Sequence, residues 1–205
     1  MNQTELKSPV NWRPLALLVV LAASLMVVAF RLMPYGIRGA NFVPAGALFL
    51  FAGARLRPRW LLPVAFISVL AVDIYFYSAN EWQFPFFSYI GYALYITLGW
   101  AMLSRPSRLL RVFGTAVAGS VVFFLVTNFG VWLEHVIRPE YFANQDLKYP
   151  PDLGGLLLCF EKAIPFYRGT FLSDMVFGVF FFAGYAVLAK AYFPAESVAA
   201  AEVRS

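Results

Sequence analysis

The stretch CFEKAIPFYRGTFLSD, Cys159 to Asp174, places Glu161, Lys162, Arg168 and Asp174 beside one of the most apolar runs in the chain. Charged residues make up only 13% of the 205 positions, so four within sixteen require a reason. Pro165 and Gly169 fall here too, and both residue types interrupt helices. The question is whether this is a loop beside a membrane or the polar lining of a site within it. Before Glu161 the apolar run is only about half a span long. Residues 154–166 are therefore expected to form an amphipathic or re-entrant piece at the outer mouth, joined by FYRG to a last span over 169–189. Irregular backbone at membrane depth is tolerated where protein or a wet cavity satisfies it, so this piece is a candidate lid and wall.

The rest of the chain supports a membrane setting. It is 61% hydrophobic with a mean hydropathy of +0.69, against about 45–50% apolar in soluble domains. Apolar runs of spanning length recur along it. The fold class expected is an all-α integral membrane bundle of six transmembrane helices. Its spans are 14–33, 40–54, 60–77, 86–103, 113–133 and 169–189. The second is short: its length corresponds to about 22 Å, against a hydrocarbon layer of roughly 30 Å. The organisation expected is a cytoplasmic N-terminal segment 1–13, a membrane domain 14–190 and a cytoplasmic tail 191–205. Glu5 dilutes the positive region before the first run and no A-x-A site follows it, so that run is expected to stay as a helix.

A pI near 9.4 would point to nucleic acid in a soluble protein, but here the Lys and Arg sit in short loops between apolar runs. RLRPR (55–59) and RPSRLLR (105–111) are basic, whereas SANEWQFP (78–85) has no positive residue. By the positive-inside rule both termini are cytoplasmic, in a bacterial inner membrane. Cys159 is the single cysteine and His135 the single histidine, so intramolecular disulfides, CxxC chemistry and multi-thiolate metal sites are excluded. With no Ser/His pair or metal-ligand cluster, the chain is expected not to be an enzyme and to need no cofactor or metal.

With these spans, Asp73, Asn128 and Asp174 each lie about 6–8 Å below the outer boundary. Arg31 and Arg38 flank the first outer turn, and Asn41 opens the second span. Buried carboxylates are costly, so these groups should face a bundle interior or a wet cavity. They either line a site or pair with Arg31, Arg38 or Arg168. Ser120, Phe124, Asn128, Trp132 and His135 share one helical face, as do Thr170, Asp174 and Gly178, and Asp73 and Tyr77. The candidate solute contacts are Arg38, Asn41, Asp73, Asn128, Trp132, Glu161, Arg168 and Asp174. The carboxylates would receive cationic groups, Arg38 and Arg168 anionic ones, and Trp132 would stack. His135 is expected in a surface loop and Cys159 as a small buried hydrophobe. GTAVAGS (114–120) suits close helix packing, within the bundle or against a partner.

RGANFVPAGALFLFAGA, TNFGVW and CFEKAIPFYRGTFLSDMVFG resemble three blocks of an uncharacterised bacterial family of multi-pass transport-type proteins, a resemblance that covers about residues 31–184. By general organisation that family is similar to the S components of energy-coupling factor transporters, small six-helix proteins with a site open to the outside. The resemblance implies a transport protein binding a small solute in a cavity of the outer half, with the lipid bilayer and an energy-coupling ATPase module as partners. The other reading is a non-enzymatic membrane scaffold for envelope assembly, in which the polar layer serves packing alone.

Overall fold

Apolar runs long enough to bridge a bilayer satisfy their backbone most simply as helices, and the chain is built from them. The computed structural model describes residues 13–80, 84–105, 107–142 and 148–194. Within these lie α1 (Pro14–Leu32), α2 (Tyr35–Arg38), α3 (Ala45–Arg55), α4 (Pro63–Asn80), α5 (Phe86–Leu103), α6 (Leu109–Ile137) and α7 (Leu153–Tyr192), with single 3-10 turns at Arg59–Leu61 and Pro139–Phe142. The N-terminal segment up to residue 12 and the tail beyond 194 lie outside the described residues.

Five helices (α1, α4 with its preceding turn, α5, α6 and α7) are long and apolar enough to cross a membrane. Leu25, Ile67, Phe180 and Val187 point outward, 61–73% exposed, as side chains in contact with lipid do. The chain is thus a helical membrane protein. Chain direction defines two ends. One carries Leu32, Ala45, Phe86, Ile137 and Leu153; the other carries Pro14, Arg55, Pro63, Leu103, Leu109 and Tyr192. They are called the Leu32 end and the Arg55 end.

The central element is α3, all eleven of whose residues are buried. It packs against α1, α4, α5, α6 and α7. Its closest neighbour is α5, for which two glycines are responsible. A Cβ at Gly53 would overlap the Ile96 backbone, and one at Gly99 would overlap the Leu50 carbonyl. The two backbones therefore touch with no side chain between them. At about 16 Å, α3 cannot span the layer alone. The remainder of the expected second span belongs to an irregular turn that begins before it, in which Gly39 and Asn41 take left-handed backbone, with φ of 79° and 55°.

The segment quoted at the outset folds otherwise than expected. It is neither re-entrant nor separate: α7 runs unbroken for 40 residues through Pro165 and Gly169. Its start is set by Asp152, whose carboxylate accepts the Gly155 amide at 2.7 Å, a side-chain cap of the kind that opens helices. Pro165 withholds one amide from the ladder, a loss that long membrane helices tolerate. Gly169 is small for a different reason. A Cβ there would strike the Ala40 carbonyl, so the turn after α2 lies directly on α7.

Candidate functional site

The late start of α3 leaves space above its first turn, and this space is a cavity of about 330 Å³ at the Leu32 end. Its walls come from the end of α1, the α2–α3 turn with the first turn of α3, the first half of α5, the last half of α6 and the middle of α7. Irregular backbone lines it, as membrane-depth irregularity requires.

Three of the residues chosen from sequence line this cavity: Arg38, Asn41 and Asn128. Arg38 is held by the Met33 and Gly39 carbonyls at 3.1 and 3.2 Å. Asn41 occupies the left-handed position of the turn, which asparagine tolerates better than most residues. The Asn128 side-chain amide donates to the Phe124 carbonyl at 2.7 Å.

Asp73 does not line the cavity. It accepts hydrogen bonds from Arg31 and from the Tyr89 hydroxyl, the latter at 2.8 Å. The pairing with Arg31 was one of the two readings open from sequence, and Arg31 itself forms part of the wall. Asp174 is 1% exposed and lies beneath the floor, where the Tyr95 hydroxyl donates to it. Its Oδ1 has no hydrogen-bond partner and rests against Gly46, where any Cβ would overlap it. Tyr95 and Gly46 both line the cavity, so one ring and one backbone segment separate Asp174 from it.

The remaining choices stand apart. Trp132 donates its indole N–H to the Pro150 carbonyl at 2.9 Å and closes the α6–α7 connection. Glu161 is exposed and faces Lys162 at 3.8 Å. Arg168 is also exposed, away from the cavity. They fall outside because α7 begins at residue 153, so positions 161 and 168 lie on a helix flank and not on a re-entrant wall.

The common polar level also divides. Asp73 meets α5 at Tyr89 and Asp174 meets it at Tyr95, six residues or about 9 Å deeper. Taking Gly169 as the start of a span placed Asp174 too near the boundary. Helical faces fared better. Ser120 meets Tyr167 at 3.3 Å, the rings of Phe124 and Tyr167 lie 4.9 Å apart, and Cys159 donates to the Asn128 carbonyl at 3.4 Å. The predicted stripe of α6 is thus its contact with α7. Tyr77, by contrast, is 55% exposed and does not share the buried side of Asp73. His135 is not in a loop. It is a buried residue of α6, stacked on Phe142 at 3.6 Å, with Nδ1 beside the Val131 carbonyl at 2.8 Å.

Of the aromatic wall, sequence reasoning singled out Phe124 on its α6 face but not Tyr92, Tyr95, Phe123, Phe166 or Tyr167. In a chain with 22 Phe and 11 Tyr, no periodicity separates these from packing rings. Among the described residues, the charged groups of the lining are Arg31 and Arg38, with no carboxylate. The cavity therefore offers guanidinium, amide, hydroxyl and ring surfaces, a set suited to an anionic group attached to a flat apolar body. A second hollow, of about 520 Å³, lies between Tyr77, Phe86, Glu134 and Arg138 and holds none of the residues chosen from sequence.

No curated protein and no solved structure matches the chain. A family description does, over residues 11–198: the chain belongs to DUF6580, a family of unknown function.

Proposed function

We propose that the chain is a non-enzymatic transport protein of the bacterial inner membrane that takes up a small solute at the Leu32 end, which faces outward. The observation that carries this reading is the cavity itself: some 330 Å³ of space above the start of α3, walled by polar and aromatic groups. Counting α3 as a shortened sixth crossing gives both termini a cytoplasmic position, in agreement with the basic loops at the Arg55 end. The solute class is a small carboxylate- or phosphate-bearing molecule with a planar portion. Arg38 receives the anion, Asn41 and Asn128 the polar edge, and Tyr92 and Tyr167 the flat face. Asp73 keeps Arg31 neutralised within the wall. Energy comes from a partner, in the manner of S components docking on an ATPase module; this analogy rests on size, helix number and an outward cavity.

A specific observation also favours the scaffold reading: Asp73 and Asp174 are engaged by Arg31, Tyr89 and Tyr95, as packing residues are. Mass spectrometry of small molecules extracted from the purified protein separates the two. One compound at a near-equal molar ratio supports transport. Its absence from detergent and nanodisc preparations alike rejects the site and favours the scaffold.

A further inference from the structure

At the Arg55 end, four arginines gather where α1 starts and α3 finishes, with no acid among the described residues. Arg13 precedes α1, Arg55 closes α3, and Arg57 and Arg59 follow in the connection to α4. The Arg13 amide donates to the Arg57 carbonyl at 3.4 Å, which sets the two segments side by side. Three of the four side chains are engaged. Arg55 donates to the Leu103 and Arg105 carbonyls and lies over the Phe182 ring at 5.4 Å. Arg57 donates to the Leu56 carbonyl at 2.6 Å, and Arg59 covers the Trp100 ring at 4.7 Å.

Arg13 differs. It is 3% exposed, and its Nε and Nη1 are buried without a hydrogen-bond acceptor. Like charges lie beside it: Arg13 and Arg59 act against the charge on Arg57, while Tyr185 acts in its favour. Burial, with Arg13 and Arg59 alongside, lowers the Arg57 guanidinium to about 10. The two ion pairs among the described residues involve Arg31 and Lys162, both remote from this end. A buried guanidinium among like charges, with two N–H directions unmatched, is unfavourable until an anion completes it. Its planar fork fits the paired oxygens of a phosphate.

We propose that Arg13, with Arg55 and Arg57 beside it, forms a phosphate-binding site filled by the headgroup of an anionic phospholipid. The level in the membrane favours a lipid as the source. Trp60 is 70% exposed and Trp100 48% exposed close to the cluster, and exposed tryptophans of a membrane bundle settle at the headgroup layer. Arg57 beside Arg13 is half-buried and Arg59 exposed, so the cluster reaches the surface of the bundle.

The test uses the full chain, delipidated in detergent, and supplied separately with phosphatidylglycerol, phosphatidylcholine or inorganic phosphate. Native mass spectrometry and thermal unfolding are the readouts. The expected result is saturable binding of phosphatidylglycerol with a raised Tm, and neither with phosphatidylcholine. Arg13→Gln and Arg57→Gln should each weaken that binding about tenfold, the effect of losing hydrogen bonds to a charged group. Arg111→Gln, an exposed change at the same end, should leave it as in wild type. If inorganic phosphate reproduces the stabilisation, the ligand is soluble phosphate and the lipid assignment falls. Equal binding of the two lipids, or wild-type binding by both cluster variants, overturns the site. Should Arg13→Gln fail to fold, half-buried Arg57→Gln carries the comparison.

Discussion

Asp73 sits within an apolar helix yet accepts hydrogen bonds from two directions, Arg31 and Tyr89, and so keeps a guanidinium in the cavity wall without a net charge. Asp73→Asn should remove more than it replaces, because Arg31, 21% exposed at its side chain, is left unpaired. The expected loss is about 3 kcal/mol, the lower range for breaking a buried pair. Thermal unfolding checks this, and an Arg31→Met/Asp73→Leu double variant should lose less than Asp73→Asn alone. Asn41 separates structure from binding at one position. Its left-handed backbone suits glycine, so Asn41→Gly should keep the wild-type Tm, whereas Asn41→Val should lower it. If the cavity binds a solute, both variants should bind it more weakly, measured by titration of the purified protein.

Helices α3 and α5 meet through glycines, and that contact sets how closely α3 is enclosed. Gly53→Ala and Gly99→Ala each force a methyl into backbone, and about 1–3 kcal/mol of destabilisation is expected from overpacking. Gly114→Ala should do the reverse. Nothing lies within 4 Å of its would-be Cβ, so a gain of about 0.5–1 kcal/mol is expected, read as a higher Tm. That opposition also shows what could be read in advance. The extent of α5 was legible as 86–103, since an apolar run bounded by Pro85 and Ser104 leaves little choice. GTAVAGS does pack closely within the bundle, since Gly119 meets the Tyr95 ring, Ala116 lies against Gly178 and Ser120 meets Tyr167; the glycines that bring two helix backbones into contact are nevertheless 53 and 99. Spacing shows that residues share a face but not which helix that face meets. The error at α7 has a different origin. Pro165 and Gly169 were read as breaks, while the capping signal at Asp152 was passed over, although an Asp before an apolar run is how many helices begin.

The molecule as a whole is a short, fully buried helix enclosed by longer ones, with a cavity above its start and an arginine cluster at its finish. In the proposed orientation the cavity opens outward. With Cys159 replaced by Ala, a cysteine at Gly36 should react with an impermeant thiol reagent in intact cells, and one at Ser107 only after permeabilisation. The opposite pattern would invert the molecule and reject the uptake reading. The location of the cavity was partly legible, because Arg38, Asn41 and Asn128 are polar groups near span ends and the short second span left unfilled depth. Its aromatic walls were not, because only tertiary contact separates Tyr92 or Tyr167 from the packing rings. The central claim, that this space holds a solute, is tested most directly by filling it. Ala163 lines the cavity, and Ala163→Phe adds a ring there without removing a polar contact. The measurement is the molar ratio of co-purified small molecule to protein in wild type and in this variant. A ratio near unity in wild type should fall to near zero in Ala163→Phe at unchanged Tm; an equal ratio in both proteins would contradict solute binding in this cavity.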